Sequence, residues 1–333
     1  MTRLRASARR PPRPDLCTPT GRFPMSAVPS LVSRPASALA VAGALALVYV
    51  IWGSTYLGIR FALEGGFPPL LMAGSRFVAA GALMYAALRL RGVPAPSAAQ
   101  WRNCTIMGIL LLGGGNGLVC IAEQTVSSGL AAIAVASAPL WIGLFVTLRG
   151  QRPGPLEWTG LAIGFVGVLW LNAGSSLTAT PVGLVALLVA PVAWAFGSVW
   201  SRGRDLPSPF MTAAAQMLCG GGAMLLAGPL LGERFDGLPT LHGTLSVLYL
   251  VGFGSIVAFT AYVWLLHHVR PTLAGSYAYV NPVIAVVLGA WLAAERFTSH
   301  DIGAMAVILC GVVAITLARA RVAKPAPEAD PAT

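Results

Sequence analysis

The sequence predicts an all-α integral membrane protein with ten transmembrane helices, and three observations carry that prediction. Hydrophobic residues make up 56% of the 333 and charged ones only 10%, with a mean hydropathy of +0.75; a soluble domain carries roughly 25% charged residues. The apolar residues gather into runs long enough to cross a bilayer, which takes about 20 residues at 1.5 Å each. The pattern also occurs twice. Trp52-Gly53-Ser54-Thr55, Pro139-Leu140-Trp141 and Gly167-Val168 are answered by Trp194-Ala195-Phe196-Gly197-Ser198, Asn281-Pro282-Val283 and Gly311-Val312, displaced by 142, 143 and 144 positions.

In order, the spans are 38–59, closed by Arg60; 69–88, closed by Arg89; 103–122, closed by Glu123; 128–148, closed by Arg149; and 156–174. The second set is 182–201, closed by Arg202; 209–231, interrupted by Gly220-Gly221-Gly222; 244–266, closed by His267; 272–293, closed by Glu295; and 301–318, closed by Arg319. Five spans per copy is an odd number, so the second copy enters the membrane from the opposite side and the repeats are inverted. Repeat 1 is 37–174 and repeat 2 is 182–318. Such halves can exchange conformations and open one site to either face in turn.

The net charge of +11 is a matter of topology and points to no nucleic-acid partner. Seven of the 22 basic residues precede the first span, and most of the others fall in alternate loops at Arg89, Arg91 and Arg102, Arg149 and Arg152, Arg202 and Arg204, Arg270, and Arg319, Arg321 and Lys324. The opposite loops hold Arg60, Arg234 and Arg296. By the positive-inside rule both termini of this multi-pass membrane protein are cytoplasmic. The Arg- and Pro-rich residues 1–36 read as a disordered lead, or as an over-long start ahead of Met25, and 319–333 as a cytoplasmic tail. Cys17, Cys104, Cys120, Cys219 and Cys310 form neither a disulfide framework nor a metal-ligand spacing.

Tyr49-Val50-Ile51-Trp52-Gly53-Ser54-Thr55-Tyr56, Ala122-Glu123-Gln124, Ser128-Gly129-Leu130-Ala131-Ala132, Gly254-Ser255-Ile256-Val257-Ala258-Phe259-Thr260-Ala261-Tyr262 and Ser276-Tyr277-Ala278-Tyr279-Val280-Asn281-Pro282 resemble the EamA-domain branch of the drug/metabolite transporter superfamily. The resemblance covers 37–318. It implies two EamA repeats, a central cavity lined mainly by spans 1, 3, 4, 6, 8 and 9, and export of small solutes from the bacterial cytoplasm; monomers and homodimers both fit it. Members often carry Gly-Glu-Arg after the fourth and ninth spans. Here those sites read Gly150-Gln151-Arg152 and Ala294-Glu295-Arg296, so the first lacks its acid.

Pro139 and Pro282 hold matching places in the two halves. Each removes an amide donor and frees the carbonyl four residues earlier, and matched interruptions point to hinges around a midplane site. Around them lie side chains suited to a polar, aromatic, substrate-binding pocket: Trp52, Ser54 and Thr55, Asn116, Trp141, Trp194 and Ser198, Tyr262, Tyr277 and Asn281. Arg76 lies roughly 10 Å into the membrane, either as anchor for a substrate carboxylate, in an ion pair with Glu64 or Glu123, or hydrogen-bonded to backbone carbonyls. Glu123 is either a proton carrier coupling transport to a gradient or an acid that pairs and caps. The expected partners are thus a small-molecule substrate and the lipid bilayer, with two alternatives open for coupling: protons as the coupling ion, or uncoupled facilitation. No catalytic residues, metal site or cofactor are expected, because His242, His267, His268 and His300 sit in loops or at span ends and no nucleophile–base set exists.

Overall fold

Ser37 accepts a hydrogen bond from the Ala40 amide at 3.2 Å, which starts the first helix at its N-cap. The structure, a computed structural model, describes residues 37–150, 154–173, 180–269 and 276–322. The expectations for 1–36, for Gln151 and Arg152, and for 323–333 lie outside those residues. The helices are α1 (Ala38–Glu64), α2 (Pro69–Leu90), α3 (Ala98–Ala122), α4 (Ser128–Leu148), α5 (Pro155–Ala173), α6 (Pro181–Trp200), α7 (Pro209–Leu230), α8 (Leu241–Leu265), α9 (Tyr277–Leu292) and α10 (Ser299–Val322). Proline opens α2, α5, α6 and α7, where its missing amide costs nothing and its fixed φ suits the first turn.

Seven of these, α1 to α4 and α6 to α8, are long and apolar enough to cross a membrane. That is fewer than the ten spans read from the sequence. For the ninth, 270–275 lie outside the described residues and the apolar helix is only Val280–Leu292; for the tenth it is Ser299–Ala314. Several helices also outrun their apolar runs. α1 continues through Arg60 to Glu64 because the two ends of that polar turn pair with each other. α10 continues to Val322, into what the sequence reads as tail.

Two interruptions were not expected from the sequence. Gly108–Gly117 inside α3 and Leu250–Val257 inside α8 are π-helical, and their starts are 142 residues apart, the displacement of the repeat. α4 breaks at Ala136 and Ser137, where the Ser137 hydroxyl donates to the Ala134 carbonyl at 2.6 Å, and resumes at Ala138 with Pro139 in its first turn. Pro282 is buried inside α9.

The packing follows the same displacement. α2 lies on α7, and α5 on α10. Gly74 meets Gly221 and Leu225 while Gly81 meets Ala214 and Leu218, so α2 and α7 run antiparallel. Gly164 meets Gly311 while Trp170 meets Gly303, so α5 and α10 do too. α1 packs on α8 and α9, and its counterpart α6 packs on α3 and α4. One buried apolar cluster runs from Ile59 and Phe77 through Leu140 to Ile308; a smaller one joins Val48 and Leu265 beside Trp52, Tyr262 and Tyr277. Val50, Leu83, Leu188, Leu226 and Val287 face outward and exposed, an arrangement suited to lipid.

Candidate functional site

The smaller cluster brings together three of the sequence-predicted residues. Trp52, midway along α1, packs on Tyr262 of α8 with ring centroids 5.1 Å apart and on Tyr277 of α9 at 4.9 Å; the two tyrosines are 5.5 Å apart. The Trp52 indole N–H donates to the Gly254 carbonyl at 3.1 Å, in the π-helical segment of α8. Wider π turns displace carbonyls from the regular ladder and gather at functional sites. Further along α1, Ser54 shares a 2.6 Å hydrogen bond with the Tyr249 hydroxyl, and the Thr55 hydroxyl donates back to the Trp52 carbonyl. Asn281 is buried one turn after Tyr277, and its side-chain oxygen has no partner.

Arg76 reaches the other side of the same π-helical segment. It is 4% exposed; its Nε donates to the Ser255 hydroxyl at 3.0 Å, and its Nη1 is buried without a partner. Neither expected ion pair forms. Glu64 pairs instead with Arg60, and Glu123 keeps both carboxylate oxygens buried and unpartnered. Burial first, then the charge of Glu295, pushes the Glu123 carboxyl well above the usual carboxylate range, against the opposing charges of Arg60 and Arg76.

The other candidates lie apart. Trp141 packs edge-on against Phe165 of α5 at 4.7 Å, with its indole nitrogen unpartnered. Trp194 covers Gly115 in the π-helical segment of α3, which also holds the half-buried Asn116, and Ser198 donates to the Trp194 carbonyl. Trp52 and Trp194 thus stand in matching places, each on the first helix of its half and against the π-helical segment of the other half. Among the described residues no group of three His, Cys, Asp or Glu side chains converges on a metal position.

Glu295 was missed. Placed in a loop by the sequence, its side chain is 1% exposed. It accepts from the Ser128 amide and hydroxyl at 2.9 and 2.6 Å, from the Gly129 amide at 3.1 Å and from Arg60 Nη1 at 2.6 Å. A carboxylate on the first amides of α4 is favoured by both hydrogen bonding and the helix dipole. Glu233 does the same for α2, accepting from Leu70 and Leu71 at 3.0 and 2.9 Å. The only sequence sign was Ser127-Ser128-Gly129, a helix start with no acid three residues on. At this end of the bundle opens a cleft of about 670 Å³ lined by Arg60, Glu64, Phe67, Glu123 and Gln124. It is an end-on cleft and does not reach the aromatic cluster.

A model of the EamA-like transporter family matches residues 39–173 and again 181–317. The chain belongs to the EamA-like transporter family. It is accordingly a membrane transporter built from two copies of the family unit. It is 46% identical over 278 residues to the uncharacterized inner membrane transporter YedA of Escherichia coli K12, covering 83% of this chain and 90% of that one. The uncharacterized transporter YoaV of Bacillus subtilis is 24% identical over 275 residues, covering 80% and 92%. A chain of known crystal structure matches in fold, with a TM-score of 0.59 at 22% identity over 86% of this chain and 100% of that one.

Proposed function

We propose that this protein is a secondary transporter of small amphipathic organic solutes, amino acid-like compounds or drugs among them, working across the inner membrane as an exporter. In this reading ten spans form two inverted five-helix halves, with both termini cytoplasmic and the Glu295 end facing outward. The antiparallel packing of α2 on α7 and of α5 on α10 carries it. Equivalent helices related by an in-plane two-fold must run antiparallel, and a parallel duplication would set them parallel. Alternating access follows when α1 with its partners α8 and α9, and α6 with α3 and α4, trade their packing. The solute sits where Trp52, Tyr262 and Tyr277 meet the unpartnered Asn281, and Pro139 and Pro282 act as hinges.

Glu123 supports proton coupling over uncoupled facilitation, since a buried carboxylate without a partner is suited to take and release a proton. The inner-membrane assignment draws on the 46% identical relative. The test is counterflow of a metabolite panel into proteoliposomes. At least one amphipathic solute should exchange, and Tyr277→Ala or Asn281→Ala should abolish that exchange while the protein stays monodisperse. Full exchange in both variants would remove α9 from the site.

A further inference from the structure

We propose that the Arg76 guanidinium and the π-helical segment of α8 form a binding site for the carboxylate of a small aromatic monocarboxylate. The inference rests on the transport reading above and narrows its substrate class. Arginine stays protonated in proteins, and a guanidinium buried among spans is stable only where its donors and its charge are met. Arg76 has five N–H donors and its guanidinium lies 4.6 Å over the Phe77 ring, yet its one side-chain hydrogen bond is to the neutral Ser255 hydroxyl, and Nη1 is buried with nothing to accept from it.

Three acids that could otherwise supply the counter-charge are committed elsewhere. Glu64 and Glu295 hold Arg60, and Glu233 holds the first amides of α2. Glu123 acts on Arg76 only through space, with no bond between them. An anion supplied by the solute completes this site, and the fork of a guanidinium matches the two oxygens of a carboxylate.

The surroundings say which anion. Arg60 is already neutralised by two glutamates, so a dianionic phosphate would find one cation where it needs two. Gly254 lacks a side chain where a Cβ would stand 3.1 Å from Thr55 and 3.4 Å from Arg76 Nη2, which brings the guanidinium against the α8 backbone. The carbonyl of that same residue holds the Trp52 indole, so the charged group and the aromatic cluster meet at one residue. A ring held among Trp52, Tyr262 and Tyr277 with a carboxylate on Arg76 uses both.

The test compares binding of indole-3-acetate with its uncharged isostere indole-3-acetamide, by calorimetry on the full-length protein in lipid nanodiscs. The acid should bind roughly tenfold to a hundredfold more tightly, as expected for a charge-assisted hydrogen bond. Arg76→Gln should erase the preference and Arg76→Lys should keep part of it. Ser255→Ala, which leaves the charge in place and frees only its Nε, should weaken the acid a few-fold without touching the amide. Equal binding of acid and amide to the unmodified protein, no binding of either, or a preference surviving in Arg76→Gln would each overturn the proposal. Tyr277-dependent counterflow without an acid preference sinks this site and leaves the transport reading standing. An Arg76-dependent preference in a protein whose flux ignores Tyr277 does the reverse.

Discussion

The two ends of the bundle are built from equivalent pieces but held by different chemistry. At one end, acids from the second half satisfy helix starts of the first: Glu295 on α4 and Arg60, Glu233 on α2. At the other end Asp205 accepts from Gln100 at 2.9 Å on an exposed surface, its carbonyl accepts from Asn103 at 2.9 Å, and Arg149 donates to the Val199 carbonyl at 2.8 Å. The turns themselves correspond. Gly92 after α2 and Gly232 after α7 both have positive φ, 78° and 87°, but the next residue is Val93 in one and Glu233 in the other. The start of α7 accordingly has no side-chain cap, where α2 has a carboxylate on two amides. Among the described residues the ionic clamp on Glu295 stands at one end of the duplication, and it should make that end the harder one to open.

The comparison breaks most easily at Glu295. Glu295→Ala leaves the partly exposed Arg60 with Glu64 alone and uncaps the first amides of α4, and should cost about 2–3 kcal/mol; thermal unfolding in detergent would read it. A destabilisation no larger than that of Asp205→Ala would show the ends to be equivalent after all.

A pH dependence comes next. The folded Glu123 carboxyl lies well above 4.5, so above that pH the native chain keeps a proton that the unfolded chain has lost. Its contribution is therefore complete below pH 4.5 and fades as pH rises through the folded value, with Glu295, Arg60, Arg76 and Tyr56 as the groups it feels and is felt by. Glu123→Gln should flatten that slope, and an unchanged slope would remove Glu123 as its source. Glu233→Ala should be milder, about 1–2 kcal/mol for two amides left uncapped, and less if water replaces the carboxylate.

The smallest effect sharpens the likeness of the two halves. Ala294 has φ 51° at the place where the first half has Gly150 at φ 89°. Ala294→Gly should relieve left-handed strain and raise stability by up to about 1 kcal/mol. A loss instead would mean that the Ala294 methyl packs usefully.

Much of this fold was legible because membrane helices announce themselves by length and because the repeat carries its own register. Trp52, Tyr262 and Tyr277 could be nominated as aromatics from three spans, and the structure brings them together. The π-helical segments could not be read. A π turn shifts helical phase by about one residue, which Gly113-Gly114-Gly115 hides among signs of close packing. Glu295 was hidden by distance along the chain, since Ser128 lies 167 residues away and no local pattern ties a loop acid to another helix's start. For the same reason no local pattern ties Arg60 to Glu295, 235 residues away. Trp141 was grouped with the site by its proximity to Pro139, yet α4 turns it towards Phe165.

In the proposed transport cycle the two ends open in alternation and the Glu295 clamp holds one of them shut. Electron–electron double resonance between spin labels tests it, with Gln124 and Arg296 labelled at the clamped end and Arg91 and Arg202 at the other, in a background without native cysteines. Glu295→Gln should lengthen the 124–296 distance and shorten the 91–202 distance in the same sample. Lengthening at both ends, or no change at either, would contradict the account.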